Sequence, residues 1–324
     1  MPSHRRIRNA LLVAAAALLP VLAGAQAWPT KTIRILVGSP PGGPSDIVTR
    51  VFAEQLSQRF KEPVVAENRP GVGNSIAAGV VARGEPDGYT LVISPDTVVT
   101  VNPLVYKKLN FDARTELVNV STLAAFTQML VCNPATGVHT VPELVAKAKS
   151  SHMTYASGGP GVPGHLAAEM FLQTAGVKMQ HVPYKGPAPA TLAVVAGESD
   201  CGFLATPTVL QQVKAGKLNA LAVSSAVPSP MAPEVPTLAK ALNRPDLDIS
   251  FKLVLQAARG TPAPVIAELE RAAMEIMQKP EVRARLQAAD LVAIGSSTKD
   301  AEAAMKAETA RWAPVVSRLE IKTE

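Results

Sequence analysis

Apolar positions along this chain follow two alternating periods. Short runs of aliphatic and β-branched residues, as in a buried strand, alternate with Ala-rich stretches whose apolar positions recur every three to four residues, as in a helix packed on one side. The first set predicts strands over 33–37, 64–67 and 91–94, with helices over 45–60 and 75–83 between them. A second set predicts strands over 129–133, 153–157, 179–183, 201–204 and 218–224, alternating with helices over 142–149, 165–175, 187–196 and 207–215. Such alternation builds a parallel sheet covered by helices, so the fold class is α/β.

A Pro-rich stretch over 227–236 precedes a strand at 249–256 and helices over 264–278, 280–288 and 301–319. Chain ends commonly lie near each other, which places this last third back on the first set. The expected organisation is lobe 1 from 28–126 and 226–324, and lobe 2 from 127–225, each a mostly parallel sheet flanked by helices. Two crossings, near 123–127 and 225–249, leave such lobes free to rotate over a cleft. Ligands of these sheets sit at strand carboxyl ends. Trp312 is expected to anchor the final helix to the sheet.

Residues 1–27 read as a secretory signal: Arg5, Arg6 and Arg8 precede an apolar run, and small residues allow cleavage after Ala25 or Ala27. The run is too short to span a membrane. Of 324 residues 47% are apolar and 18% charged, a composition that excludes disorder. Removing the leader takes three Arg and no acid from the formal charge of +6, leaving +3. The remaining basic residues are dispersed among acids, and aromatics make up only 4%, so no nucleic-acid partner is expected. Cys132 and Cys201 form either a disulfide or two buried small hydrophobes, and the sequence leaves both open.

Two segments carry candidate chemistry. Residues 38–46, with Gly42, Gly43, Ser45 and Asp46, follow a strand and open a helix. Glycines let backbone N–H groups approach a ligand, and a helix N-terminus favours an anion; Ser45 or Asp46 as a simple N-cap is the alternative. Residues 155–165 repeat the arrangement. Gly159, Gly161 and Gly164 fit a dinucleotide glycine spacing, but the acidic residue expected about 20 positions on is missing. Ser157 lacks a nucleophile-elbow motif, since position 155 is Tyr. A secreted α/β hydrolase using Ser157 and His165 is therefore the rival reading. The five histidines show no metal-ligand spacing, and neither a metal nor a cofactor is expected.

Several ordered segments identify a family resemblance: Pro40-Pro41-Gly42-Gly43 with Asp46, Glu67-Asn68-Arg69-Pro70-Gly71, Pro86-Asp87-Gly88-Tyr89, Tyr155-Ala156-Ser157 and His181-Val182-Pro183-Tyr184-Lys185-Gly186. The chain resembles the Bug receptors, solute-binding proteins of tripartite tricarboxylate transporters, over essentially its whole mature length. The resemblance implies a periplasmic, two-lobed binding protein of Venus-flytrap, type II-like build. It implies a small organic acid as ligand, cytoplasmic-membrane transporter subunits as partners, and a monomeric receptor without catalysis. Some members instead feed sensory systems. Carried over residue by residue, the ligand loops are 41–46, from Pro41 to Asp46, and 157–165, with Ser157, Gly158, Gly159, Gly161, Val162 and His165. Ser94, Asp96 and Thr97 after the third strand, and Ala205, complete the candidate set. Departures from the family pattern fall at Ser39, Val162, Pro163, Leu204 and Lys252. They suggest a ligand with an apolar portion toward Leu204 and an anionic end near Lys252, or a paralogue with a drifted pocket. Asp46→Ala is expected to reduce ligand-induced stabilisation while leaving the apo fold nearly intact.

Overall fold

The computed structural model describes residues 28–319; the expected signal peptide, 1–27, lies outside the described residues. From Lys31 onward the chain forms one unit built on a ten-stranded mixed sheet. The strands are β1 (Ile33–Val37), β2 (Val64–Asn68), β3 (Thr90–Pro95), β4 (Leu117–Cys132), β5 (Thr154–Ser157), β6 (Gln180–Pro183), β7 (Cys201–Ala205), β8 (Asn219–Val223), β9 (Ser250–Ala258) and β10 (Val292–Ala293). Helices of two turns or more are α1 (Pro44–Phe60), α2 (Ser75–Ala82), α3 (Val141–Ser150), α4 (Pro163–Ala175), α5 (Pro187–Ala196), α6 (Thr206–Lys214), α7 (Ala263–Gln278), α8 (Pro280–Gln287) and α9 (Thr298–Leu319).

The main path through the sheet runs β2-β1-β3-β9-β4-β7-β5-β6. At each end the pairing is parallel, β2 with β1 and β1 with β3, then β7 with β5 and β5 with β6. The returning strand β9 and the long strand β4 join these ends through antiparallel ladders.

β4 organises the molecule. Its 16 residues extend about 50 Å at the usual strand rise, enough to serve both halves of the sheet. Leu117 to Thr127 pair with β9, and Gln128 to Cys132 pair with β7. β8 and β10 also pair antiparallel with this strand. Its register slips between Asn119 and Ser121, between Thr122 and Ala124, and between Leu130 and Val131. Such bulges add twist, and the sheet curls.

Sequence periodicity predicts only the last part of β4, over 129–133. The reason for the shortfall is Asn119, Ser121 and Thr122, which break the apolar run yet are buried. The polar groups of Asn119 and Ser121 find partners: Gln256 Nε2 donates to Asn119 Oδ1 at 2.8 Å while its Oε1 accepts from Ser94 Oγ at 2.8 Å, and Ser121 Oγ donates to the Ser296 carbonyl at 2.8 Å. Satisfied in this way, buried polar groups lose most of their desolvation penalty.

Apolar clusters pack in each half of the core. Leu36, Val92, Val98, Leu117 and Val254 belong to one; Met129, Val131, Leu204, Val209 and Val223 belong to the other. Full burial of such side chains contributes about 1.5–3 kcal/mol each. Cys132 and Cys201, register partners across β4 and β7, are joined as a disulfide. Trp312 does anchor α9: its ring stacks on Phe251 of β9, with centroids 5.5 Å apart, and Phe251 contacts Phe126 of β4 at 5.9 Å.

Candidate functional site

β1, β2, β3, β5, β6 and β7 all end at one cavity of about 640 Å³. From the first half of the sheet its wall takes Gly38–Pro40, Pro44 and Ser45 after β1, residues 70–74 with Ile76 after β2, Pro95 at the end of β3, and Tyr106. From the second half it takes 158–160 and 162–164 after β5, 184–187 after β6, and Phe203 with Ala205 on β7. Phe126 and Gln128 of β4 complete the wall.

Five helices start at this wall. Their N-caps are Gly43 for α1, Asn74 for α2, Val162 for α4, Gly186 for α5 and Ala205 for α6, and none supplies a side-chain cap. Away from the cavity α3 begins with a complete capping box, Thr140 with Glu143. First-turn N–H groups have no acceptor within their own helix, and the dipole makes these ends positive. Among the described residues no Asp or Glu lines the cavity, and the one charged wall residue, Lys185, is exposed.

The first corner, 38–46, is braced by Asp46. Its carboxylate accepts from the Gly42 N–H at 3.0 Å, from Arg50 Nε at 3.0 and 3.1 Å, and from Asn68 Nδ2 at 3.0 Å. Asn68 Nδ2 also donates to the Ser39 carbonyl at 2.9 Å. Burial pushes the Asp46 carboxyl up, but these hydrogen bonds and the Arg50 charge outweigh it and hold the group below the usual carboxylate range. Gly38 allows the neighbouring turn to approach: a Cβ there would stand 2.5 Å from Asn74 Cβ.

The second corner, 157–165, is braced by neutral groups. Ser157 Oγ is hydrogen-bonded to His181 Nε2 at 2.7 Å and accepts from the Gly159 N–H at 3.2 Å. The Gly161 N–H donates to His165 Nδ1 at 3.0 Å. The His165 and His181 rings stack at 4.1 Å, and Tyr155 stacks on His181 at 4.9 Å while its hydroxyl bonds Glu169. Burial lowers His165 to about 3, with His181 adding to the effect, and burial lowers His181 to about 4. Both rings are therefore neutral at pH 7.

Across the cavity each corner touches a loop of the opposite half. Tyr106 Oη donates to the Pro160 carbonyl at 2.7 Å, and a Cβ on Gly186 would stand 2.6 Å from Pro40 Cδ.

Of the sequence candidates, Ser39, Ser45, Gly158, Gly159, Val162 and Ala205 stand on the cavity wall. The others stand elsewhere. Pro41 and Gly42 form the exposed tip of the first loop, with the buried Gly43 following them. Asp46 is only 4% exposed and spends its carboxylate on the loop and on Arg50, so its removal acts on the apo fold directly. Ser94, Asp96 and Thr97 are fully buried behind Pro95. Burial raises Asp96 to about 7, against an opposing pull from Lys252. Ser157, Gly161 and His165 lie behind the second loop; Ser157 is 0% exposed and bonded to His181, not His165, so its hydroxyl does not reach the cavity. Leu204 packs into the apolar core, and Lys252 pairs with Glu308.

Sequence reasoning missed Asn74, Tyr106, Phe126, Gln128, Phe203 and Pro187. Asn74 and Pro187 lie just past the family segments 67–71 and 181–186, and the other four had no such signal.

A doubly wound frame with a ligand-sized cavity at its strand ends defines the periplasmic binding protein fold. Within that class, the model for the TctC family, the tripartite tricarboxylate transporter family receptor, matches residues 48–321, and the chain belongs to this family. Protein BugT of Bordetella pertussis is 30% identical over 295 residues, covering 90% of each chain. The solved structure of R. palustris Rpa4515 with adipate superposes with a TM-score of 0.88 at 28% identity, covering 91% of this chain and all of the other. Periplasmic binding protein BugD gives 0.85 at 26% identity, again covering 91% of this chain and all of its own. The chain is thus a solute-binding receptor by family and by fold. Among the described residues no helix is long and apolar enough to cross a membrane.

Proposed function

We propose that this chain is an exported, monomeric periplasmic receptor that captures a small organic carboxylate and presents it to the membrane subunits of a tripartite transporter. Lobe 1, 28–126 with 226–324, and lobe 2, 127–225, close on the ligand about β4 and the 225–249 segment. The leader is removed after Ala25 or Ala27. No covalent chemistry is required.

One observation carries this reading. Five helix N-termini without side-chain caps surround a cavity that has no acidic side chain on its wall. Oriented N–H groups and aligned dipoles supply positive potential there without a buried cation. A carboxylate contacting Ser45 of α1 and Gly164 of α4 touches both halves, so it favours the closed arrangement by its differential affinity. The adipate bound to Rpa4515 supports this class of ligand.

The test is thermal unfolding with mono-, di- and tricarboxylic acids and their uncharged analogues. A carboxylate at 100 times its Kd adds about 2.7 kcal/mol of stability, readable as a rise in Tm. Gly159→Leu, which fills the wall, is expected to abolish that rise. Equal shifts in parent and variant would sink the site; no shift with any acid would sink the ligand class.

A further inference from the structure

Tyr106 of the first half reaches across the cavity and donates its hydroxyl to the Pro160 carbonyl of the second half at 2.7 Å. Among the described residues no other hydrogen bond joins cavity-wall residues of one half to those of the other. The remaining contacts between these loops are close packing at glycine. A Cβ on Gly43 would stand 3.1 Å from Pro187 Cγ, and one on Gly161 would stand 3.3 Å from Val105 Cγ1.

The first half alone holds the ring in position. Tyr106 ends the helical turn Asn102–Val105, with its N–H donating to the Asn102 carbonyl at 2.9 Å. Asn102 Nδ2 in turn donates to the Gly73 carbonyl and to Ser75 Oγ, both at 2.8 Å. Val72, Gly73 and Asn74 all have positive φ, at 47°, 56° and 73°. A β-branched residue in that region is strained, and such strain gathers at ligand clamps. The glycine at the centre of this turn lets the ring come close: a Cβ on Gly73 would stand 2.9 Å from Tyr106 Oη and 3.0 Å from Tyr106 Cε2. Burial raises Tyr106 to about 12, so the hydroxyl keeps its proton and remains a donor.

We infer that Tyr106 is a positioning residue that controls release: its bond to the Pro160 carbonyl breaks when the halves separate, and so sets how long a captured solute stays. The inference rests on the receptor reading above and adds a kinetic role that contacts with the solute do not supply. When the halves part, water takes over both partners, so the bond contributes only the modest net amount of an ordinary hydrogen bond. That slows release without locking the receptor. Because the bond belongs to the closed arrangement and not to the solute, its effect is the same for every solute, and its loss leaves entry into the open form unhindered.

Stopped-flow binding to the mature chain, with linear mono- and diacids of four to eight carbons as probes, compares the parent with Tyr106→Phe. That variant keeps the ring over Gly73 and loses only the hydroxyl, and thermal unfolding confirms that it folds. The dissociation rate is expected to rise about fivefold, the factor set by one hydrogen bond, for every acid that binds, with the association rate unchanged or higher. A factor that differs from acid to acid makes the hydroxyl a ligand contact, and an unchanged dissociation rate or a slower association leaves the bond no part in release. Each of these overturns the inference while the receptor reading stands. If no acid binds, the carboxylate reading falls, and small-angle X-ray scattering of the ligand-free chain decides the inference by itself: Tyr106→Phe is expected to have the larger radius of gyration, and equal radii overturn it.

Discussion

The two corners facing each other across the cavity use the same backbone solution with opposite electrostatics. Each follows a parallel strand, turns through glycine and proline, and opens a helix with proline at its first position. The first is tied by an ionised carboxylate, Asp46, shared among Gly42, Arg50 and Asn68. The second is tied by neutral imidazoles and a hydroxyl, His165, His181 and Ser157. An ion-paired brace tolerates any pH above its lowered pKa, whereas a buried neutral imidazole fails when acid forces it to ionise. Equivalent loops can thus differ in what unlocks them.

Acid is the largest lever on that difference. His165 and His181 titrate near 6.5 when unfolded but at about 3 and about 4 in place. Between pH 4 and 6.5 the unfolded chain binds more protons at these rings, so their contribution is present above 6.5 and is lost as pH falls through the folded values. Asp96 behaves oppositely: raised from 3.8 to about 7, its contribution is full below 3.8 and is lost as pH rises through about 7. Each proton is worth about 1.4 kcal/mol per pH unit. Urea denaturation from pH 6 to 4 is expected to show the His165→Gln, His181→Gln double variant gaining on the order of 4 kcal/mol relative to the parent across that range. Asp96→Asn should make the loss on acidification steeper than in the parent. Parallel curves for all three proteins would remove the electrostatic contrast.

Asp46→Ala attacks the other brace. It leaves the Gly42 N–H and Asn68 Nδ2 short of an acceptor and frees Arg50, at a cost of about 2 kcal/mol to the apo protein. The cost should be constant from pH 5 to 8, because the carboxyl sits below its ordinary range. The sequence supports the opposite expectation, an apo fold nearly unaffected, because it shows Asp46 only as a helix-start acid. A ligand-binding defect without a change in the apo denaturation midpoint would restore that view.

Local features were legible and long-range ones were not. Strand, glycine turn and helix start at 33–46 and 153–165 depend on neighbours a few residues apart, so pattern alone predicts them. The part of β4 before residue 129 could not be read, since Asn119 and Ser121 look like loop residues until Gln256 and Ser296 are seen beside them. The cavity floor was hidden for the same reason: Gln128 faces Ala205 through the β4–β7 register, which no local signal encodes. The sequence lists both cysteines but not their pairing, which the same register decides.

Where the loop after β6 meets the first corner, Gly186 has a φ of 118° and packs against Pro40. Gly186→Ala adds a methyl group into that contact and strains the backbone. It is expected to weaken ligand affinity about tenfold, equivalent to about 1.4 kcal/mol, by disfavouring the arrangement in which the loops meet. Unchanged affinity by calorimetry would show that the contact is dispensable for capture.

The smallest expected effect isolates the neutral brace from its pH response. Ser157→Ala removes the hydroxyl that joins His181 Nε2 to the Gly159 N–H, one hydrogen-bonding group worth about 1 kcal/mol. His181 stays stacked against both Tyr155 and His165, so its burial, the cause of its lowered pKa, persists. The variant should therefore be destabilised at pH 7 yet keep the parent's slope between pH 6 and 4. If the slope flattened as well, the hydroxyl rather than burial would set the imidazole's protonation, and the difference between the two corners would reduce to a single hydrogen bond.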